Sequence, residues 1–237
     1  MTQYLIAFDD GDMNHIPEKD LPEVGTAASA ACREAREAGV WVFGGGLAHH
    51  DVVSVVAPDG TVTDGPYPRT KEHLGGLAVV EVPSHDAALE WAAKIAAACR
   101  CAQQVFEVGP RPRDGGAGPP SEQTEYLIAF GDGDMSHIPD EDWSDVAEAA
   151  RAMVREADEA GVWVFSAGLA HHDVVSVVAP DGTVTDGPYP ESKEHLGGFV
   201  VVDVPSHDAA LEWAAKIAAA CRCAQQVFEV VPDPNAG

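Results

Sequence analysis

Positively charged side chains are scarce in this chain. Its 237 residues include 14 Lys and Arg against 39 Asp and Glu, which gives a formal net charge of −25 at pH 7. Binding to the phosphate backbone of a nucleic acid needs clustered Lys and Arg, and an anionic membrane surface repels so acidic a chain. We therefore expect neither nucleic acid nor a membrane as a partner, and we interpret the charge as an acidic, solvated surface.

Long apolar runs and paired cysteines are also missing. No apolar stretch approaches the roughly 20 residues of a membrane span, and the first residues enter a strand pattern without a basic and then apolar signal segment. The five cysteines include two Cys-x-Cys spacings and do not resemble a secreted disulfide framework. Three interpretations of these cysteines are open: packing at a helix end, redox sensitivity, or binding of a soft metal. We expect a cytoplasmic protein.

Sequence motifs that hold common cofactors are absent. The chain contains no phosphate loop, no Rossmann glycine fingerprint and no nucleophile elbow. We therefore predict no cofactor, with a divalent metal left open because of the histidines described below.

The sequence repeats itself once. Residues 4–108 recur at 126–230 with a constant offset of 122 and no insertion. A repeat of about 105 residues has the size of a domain and exceeds the roughly 20–50 residues of solenoid units. We assign domain copy one to residues 1–108, a Pro/Gly-rich linker to 109–125 and domain copy two to 126–232.

Each copy has the pattern of a small α+β domain. In copy one, strands are predicted at 3–8, 40–43, 51–57, 61–63, 77–82 and 103–108, with helices at 23–38 and 85–99 and a loop at 64–76. Both helices should cover one face of an antiparallel sheet. The bare face needs a partner, and copy two supplies it. We predict two ferredoxin-like domains packed face to face as a dimeric α+β barrel, an intrachain pseudo-dimer in a monomeric chain.

The loop 64–76 carries a recognisable signature. It reads Asp-Gly-Pro-Tyr-Pro-Arg-Thr-Lys-Glu-His-Leu-Gly-Gly, and it is accompanied by Gly-Val-Trp-Val-Phe at 39–43 and by Glu-Trp-Ala-Ala-Lys-Ile at 90–95. This combination resembles the YCII-related family, in particular its DGPF branch, across nearly the whole of each copy. The chain departs from that branch in having Tyr67 and Tyr189 where Phe is usual.

The resemblance implies a ferredoxin-like α+β barrel with one pocket per domain. It also implies small-molecule chemistry, since a few members resemble lyases, including one type that dehydrochlorinates a chlorinated hydroxyquinol. A His–Asp pair has been proposed as the acid and base of the short branch, and other relatives are attached to sigma factors.

A polar loop before the first helix is kept in both copies. Asp12 and His15 recur as Asp134 and His137, while the helix that follows has changed. Among the positions that differ are Leu21/Trp143, Pro22/Ser144, Gly25/Ala147, Thr26/Glu148, Ser29/Arg151 and Arg36/Asp158. Two interpretations are open: the carboxylates cap a turn and the histidine packs beside it, or the histidine and an acid work together in a pocket.

A second group of polar residues precedes the third strand. An extended chain places His49 and Asp51 on one face and His50 on the other, and the same triplet recurs as His171, His172 and Asp173. We consider an acid–base pair, a metal site formed with His15 and a carboxylate, or surface histidines. By contrast, we interpret His85, in the first turn of a helix, as structural.

Our leading hypothesis is a small-molecule enzyme that eliminates, isomerises or cyclises its substrate. The proton carriers would be His15 and His49, with Asp12 or Asp51 orienting the imidazoles. The substrate would be bound by polar side chains of the neighbouring loops, namely His50, Asp64 and Tyr67 with their counterparts His172, Asp186 and Tyr189. The alternatives are a metal-binding or metal-dependent protein and a non-catalytic ligand-binding or partner-binding module.

Overall fold

A computed structural model describes residues 1–48, 53–64, 74–109, 123–169, 175–187 and 196–231. In copy one the strands are β1 Thr2–Asp9, β2 Trp41–Leu47, β3 Ser54–Val56, β4 Val62–Asp64, β5 Leu74–Val82 and β6 Gln103–Glu107, and the helices are α1 Leu21–Glu37 and α2 His85–Cys99. In copy two the strands are β7 Thr124–Gly131, β8 Trp163–Gly168, β9 Val175–Val178, β10 Val184–Gly187, β11 Leu196–Val204 and β12 Gln225–Val231, and the helices are α3 Trp143–Glu159 and α4 His207–Cys221.

The two copies form two antiparallel sheets that join at their edges. One sheet has the order β10-β9-β6-β1-β5-β2, and the other has the order β4-β3-β12-β7-β11-β8. The hairpins are exchanged: β9–β10 of copy two extends the sheet of copy one, and β3–β4 of copy one extends that of copy two. The end of β12 pairs with the end of β2, which links the two sheets directly.

Alternating side chains on each strand serve two cores. In β1, Leu5 and Ala7 face the other copy and share one buried cluster with Leu127 and Ala129. The intervening Tyr4 and Ile6 lie in a separate cluster with buried residues of α2, and copy two repeats this arrangement with α4. Since one face of each sheet is covered by helices and the other by the second copy, the predicted dimeric α+β barrel is confirmed.

Two strands extend through glycines that were predicted to lie in loops or at strand ends. β5 begins at Leu74, inside the predicted loop, and β2 continues through Gly44, Gly45 and Gly46. A Cβ on Gly75 would lie 2.7 Å from the Phe8 ring and 2.9 Å from the backbone of Asp10. Gly75 therefore allows close contact between neighbouring segments, and none of these glycines ends its strand.

The remaining differences are at element boundaries. α1 begins at Leu21, two residues before the predicted start, because Pro22 fits the first turn, where a backbone N–H has no helical partner. β7 begins at Thr124, two residues inside the range assigned to the linker. Residues 51 and 52, at the start of the predicted third strand, lie outside the described part of the chain.

Candidate functional site

A large pocket lies in copy two between the helices and the sheet. Its volume is about 670 Å³, within the roughly 300–1,000 Å³ of small-molecule sites. α3 contributes Val146, Ala150 and Met153 to its wall, and β7, β8 and β11 contribute residues such as Ile128, Ala167 and Phe199. The wall is mainly apolar, as expected of a site that takes a small organic molecule.

Three exposed residues with side chains line this pocket, Ser136, Trp143 and Arg151. The indole of Trp143 is 42% exposed, and Nε of Arg151 donates to the carbonyl oxygen of Ala147, 3.0 Å away, on the same helix. An incoming molecule therefore meets an aromatic ring and a cation before it reaches the apolar interior.

The thiol of Cys221 forms part of the interior wall. Burial raises the pKa of Cys221 to about 11, so the thiol is protonated at neutral pH and acts as a small apolar group. Its neighbour Cys223 has a pKa raised to about 12, first by burial and then by the nearby Cys221 and Asp134. Neither thiol is activated as a nucleophile.

Copy one has an equivalent but smaller pocket of about 280 Å³. Its wall includes Phe8, Met13 and Cys99, whose counterparts at an offset of 122 are Phe130, Met135 and Cys221 in the larger pocket. The same structural position is thus hollow in both domains, and the two cavities differ in size.

The polar loop that both copies keep forms a turn at the edge of each pocket. Met135 and Gly133 line the large pocket, while the side chain of Asp134 accepts a hydrogen bond from the backbone N–H of Gly131 at 2.9 Å. In copy one, Asp12 and the N–H of Asp9 form the same bond at 3.4 Å. These carboxylates cap the turn, in keeping with the first of the two interpretations of this loop.

The histidines of this loop lie at the protein surface. His15 and His137 are exposed and do not line either pocket. Nδ1 of His15 lies 2.9 Å from the backbone carbonyl oxygen of Asp12, so the imidazole contacts the main chain of that residue and not its carboxylate. Proton transfer by His15 or His137 stays a prediction.

Asp64 and Asp186 lie at the junction between the copies. Oδ1 of Asp64 accepts a hydrogen bond from Ser54 Oγ at 2.7 Å, and Nε2 of His207, from the other copy, lies 3.4 Å from the same hydroxyl. Because the serine proton is directed to the carboxylate, the imidazole nitrogen is the donor to Ser54. Asp186, Ser176 and His85 repeat the arrangement at 2.5 and 3.3 Å.

These contacts give His85 and His207 a structural role, because each binds an exchanged hairpin of the other copy.

The predicted site residues outside the described ranges are His49, His50, Asp51 and Tyr67, with His171, His172, Asp173 and Tyr189. Within the described ranges, no three His, Cys, Asp or Glu side chains are grouped so that they could hold a metal ion. Metal binding therefore stays a prediction that depends on the histidine doublets.

Sequence reasoning missed the residues that shape the larger pocket, Arg151, Met153 and Ser166 among them. The available signal was the drift between copies. Trp143, Ala147 and Arg151 differ from their counterparts in copy one, and all three line the pocket.

Comparison with known proteins places the chain in a family. The YCII-related domain matches twice, at residues 13–109 and 124–232. The chain belongs to the YCII-related family. The sequence predicted a tandem-duplicated member of this family, and the two matches confirm that prediction.

The two other comparisons identify no function for this chain. No curated protein matches this YCII-related chain. Among solved structures, a mutant chlorite dismutase from Candidatus Nitrospira defluvii is similar with a TM-score of 0.46 and 6% sequence identity, over 98% of this chain and 92% of that one. At this identity the similarity says nothing about what the YCII-related chain binds. Within the described ranges, no helix is both long enough and apolar enough to cross a membrane.

Proposed function

We propose that this protein binds a small, mainly apolar molecule in the pocket of copy two. The observation that carries the proposal is the 670 Å³ apolar cavity between α3, α4 and the sheet. Small-molecule sites are typically mainly apolar clefts of this size. Copy one, with the same fold and less than half of that volume, is the internal reference.

Filling the cavity tests this proposal. Ala150 lines the large pocket and its counterpart Ala28 lines the small one. We expect Ala150→Trp to abolish binding of an anilinonaphthalene sulfonate probe, whose fluorescence rises in an apolar site, and Ala28→Trp to leave most of the signal. Urea unfolding of both variants checks that the fold is kept. Equal loss in both variants, or no binding by the wild-type protein, would contradict the proposal.

Acid–base catalysis in the same pocket is the second candidate. It is favoured by Leu169, which lines the large pocket and is followed two residues later by His171 and then by Asp173. Histidine with a carboxylate is a common general acid–base pair. The reaction class would be elimination, isomerisation or cyclisation.

Catalysis is tested by incubating a metabolite extract with the wild-type protein and with the variants His171→Ala and His49→Ala. Mass spectrometry should show a compound that only wild-type protein and one of the two variants convert. His137→Ala is a matched control for a histidine outside the pocket. Conversion that persists when both His49 and His171 are replaced would contradict this assignment.

A further inference from the structure

The large pocket of copy two has a positive charge in its apolar wall. Among the described residues that line it, Arg151 carries the one charged side chain, and none is Asp or Glu. Acidic residues outnumber basic ones in the whole chain by 39 to 14. The charge of the pocket is therefore opposite in sign to that of the protein, as expected of a site that accepts an anionic group.

The side chain of Arg151 is folded back along α3. It is exposed, and its Nε donates to the carbonyl oxygen of Ala147 at 3.0 Å. This bond uses one of the five N–H groups of the guanidinium and leaves those on the two terminal nitrogens. Among the described residues no carboxylate forms an ion pair with Arg151, the nearby Glu148 of the same helix included. Within the described chain, the terminal N–H groups are open to an incoming carboxylate, which a guanidinium binds through two parallel hydrogen bonds.

An aromatic ring and this cation lie on one line of α3. Trp143, Ala147 and Arg151 are spaced four residues apart, so their side chains follow one another on the same face of the helix. All three line the pocket, and the bond to Ala147 turns the arginine side chain toward Trp143. A ligand can therefore place an apolar body against the indole and the interior wall while an acidic group meets the guanidinium.

Copy one holds its positive charge at another position. Ser29 is the counterpart of Arg151, and among the described residues of the smaller pocket the charged one is Arg36. The guanidinium of Arg36 lies 4.9 Å from the centre of the Trp41 ring, so it is already engaged by an indole. In copy two, Asp158 replaces that arginine. The cation at position 151 therefore belongs to copy two alone.

We infer that copy two binds an apolar carboxylic acid, with the carboxylate paired to Arg151 and the apolar part inside the pocket. This inference rests on the proposed small-molecule binding and specifies its ligand class. One guanidinium in a protein of net charge −25 favours a singly charged acid over a phosphate ester, because a second negative charge would be repelled without a second cation to balance it.

The experiment compares two ligands of nearly the same shape that differ in charge. Naphthylacetate is anionic at pH 7 and naphthylacetamide is neutral. Each is titrated against the full chain loaded with N-phenylnaphthylamine, an uncharged probe whose fluorescence rises in an apolar site, and the part of the signal that Ala150→Trp removes reports on copy two. We expect naphthylacetate to displace this part at about fivefold lower concentration than the amide, the ratio that about 1 kcal/mol of added interaction produces.

Matched variants assign this preference to one side chain. Arg151→Gln should remove it and leave displacement by naphthylacetamide unchanged, since glutamine keeps a polar side chain without the charge. Arg151→Lys should keep part of it. Arg155→Gln makes the same change of net charge at an exposed position of the same helix that does not line the pocket, and it should leave the preference intact.

The outcomes separate this inference from the proposed function. If the probe binds in copy two but the acid is no better than the amide, or if Arg151→Gln keeps the preference, the inference is wrong and small-molecule binding stands. Equal losses in Arg151→Gln and Arg155→Gln would assign the effect to the overall charge of the protein and would also overturn the inference. If neither the probe nor either ligand binds in copy two, the inference and the proposed function are both wrong.

Discussion

The two copies share a fold but differ in the wall of the pocket. α2 and α4 have the same sequence, and both are capped by a serine whose hydroxyl accepts the N–H of an alanine three residues on. α1 and α3 have diverged, and their residues face the cavities of about 280 and 670 Å³. The parts that hold the barrel together have been kept, while the part that would contact a ligand has changed. This distribution is expected if only one copy is specialised for a ligand.

A single position on β2 and β8 shows how the cavities diverge. In copy one the Trp41 ring lies against Gly44, and the guanidinium of Arg36 lies 4.9 Å from the centre of that ring. In copy two, Ser166 replaces the glycine and Asp158 replaces the arginine. A side chain on Ser166 excludes the equivalent tryptophan placement, and a carboxylate has no attraction to the face of an indole. These two changes accompany the larger cavity of copy two.

The largest effect is expected in the shared core, where the comparison between copies is most direct. Phe165 is fully buried and has ring centroids of Phe43 and Phe199 at 6.1 and 5.7 Å. Its counterpart Phe43 shares the core with Leu77, which is the counterpart of Phe199 and has no ring. Phe165→Ala should cost about 3–5 kcal/mol of unfolding free energy, and Phe43→Ala less, by about the 1 kcal/mol of an aromatic pair.

Urea unfolding monitored by circular dichroism measures both costs. A larger loss for Phe43→Ala would reverse the comparison and show that copy one, not copy two, dominates the shared core.

Much of this fold was predictable because alternation along a strand determines which face each side chain occupies. Leu5 and Ala7 alternate with Tyr4 and Ile6, and the need to bury both faces predicted a second sheet. The exchange of hairpins was not predictable. The strand at Ser54 is identified by its own residues, but its partner strand is set by contacts with residues such as His207, 153 positions away.

The site was harder to predict than the fold. A cavity is the volume that side chains leave empty, and no local pattern encodes it. Histidine and aspartate attract attention because they can carry protons, whereas Arg151, Met153 and Ser166 line the pocket only because of how distant segments of the chain pack together. The catalytic residues proposed from the sequence stay predictions, since His49, Asp51 and their counterparts lie outside the described residues.

An intermediate effect is expected at the hairpin junctions, where the copies are nearly symmetric. Ser54 is 2% exposed and Ser176 is fully buried, and each donates to an aspartate and lies beside a histidine of the other copy. Ser54→Ala and Ser176→Ala should each cost about 1–3 kcal/mol, because a hydrogen bond from a buried hydroxyl to a charged carboxylate is lost.

The same unfolding measurement compares the two serine variants, with Ser84→Ala as a control for loss of an exposed serine cap. The symmetry of the contacts predicts equal costs within about 0.5 kcal/mol. A cost confined to one serine would show that only one hairpin exchange stabilises the barrel.

The smallest effect concerns one cross-strand pair that the copies treat differently. In copy one, Nε2 of Gln3 donates to Oε2 of Glu81 at 2.9 Å. In copy two the same register pairs Glu125 with Asp203, and Oδ1 of Asp203 is buried without a partner among the described residues. Burial, followed by the charge of Asp203, raises the pKa of Glu125. The second copy has two acids where the first has an amide and an acid.

Replacing Glu125 by glutamine should make the copies alike and stabilise the protein at neutral pH. A raised pKa means that the folded state holds the proton more tightly than the unfolded chain, so stability is present at low pH and is lost as the pH rises past the ordinary glutamate pKa of about 4.3. Glu125→Gln should therefore add up to about 1 kcal/mol near pH 7, the value of one net hydrogen bond, and little near pH 3. Gln3→Glu should have the opposite sign in copy one. Urea midpoints at the two pH values measure this, and a gain from Glu125→Gln that persists unchanged in acid would show that the carboxyl pair is not its cause.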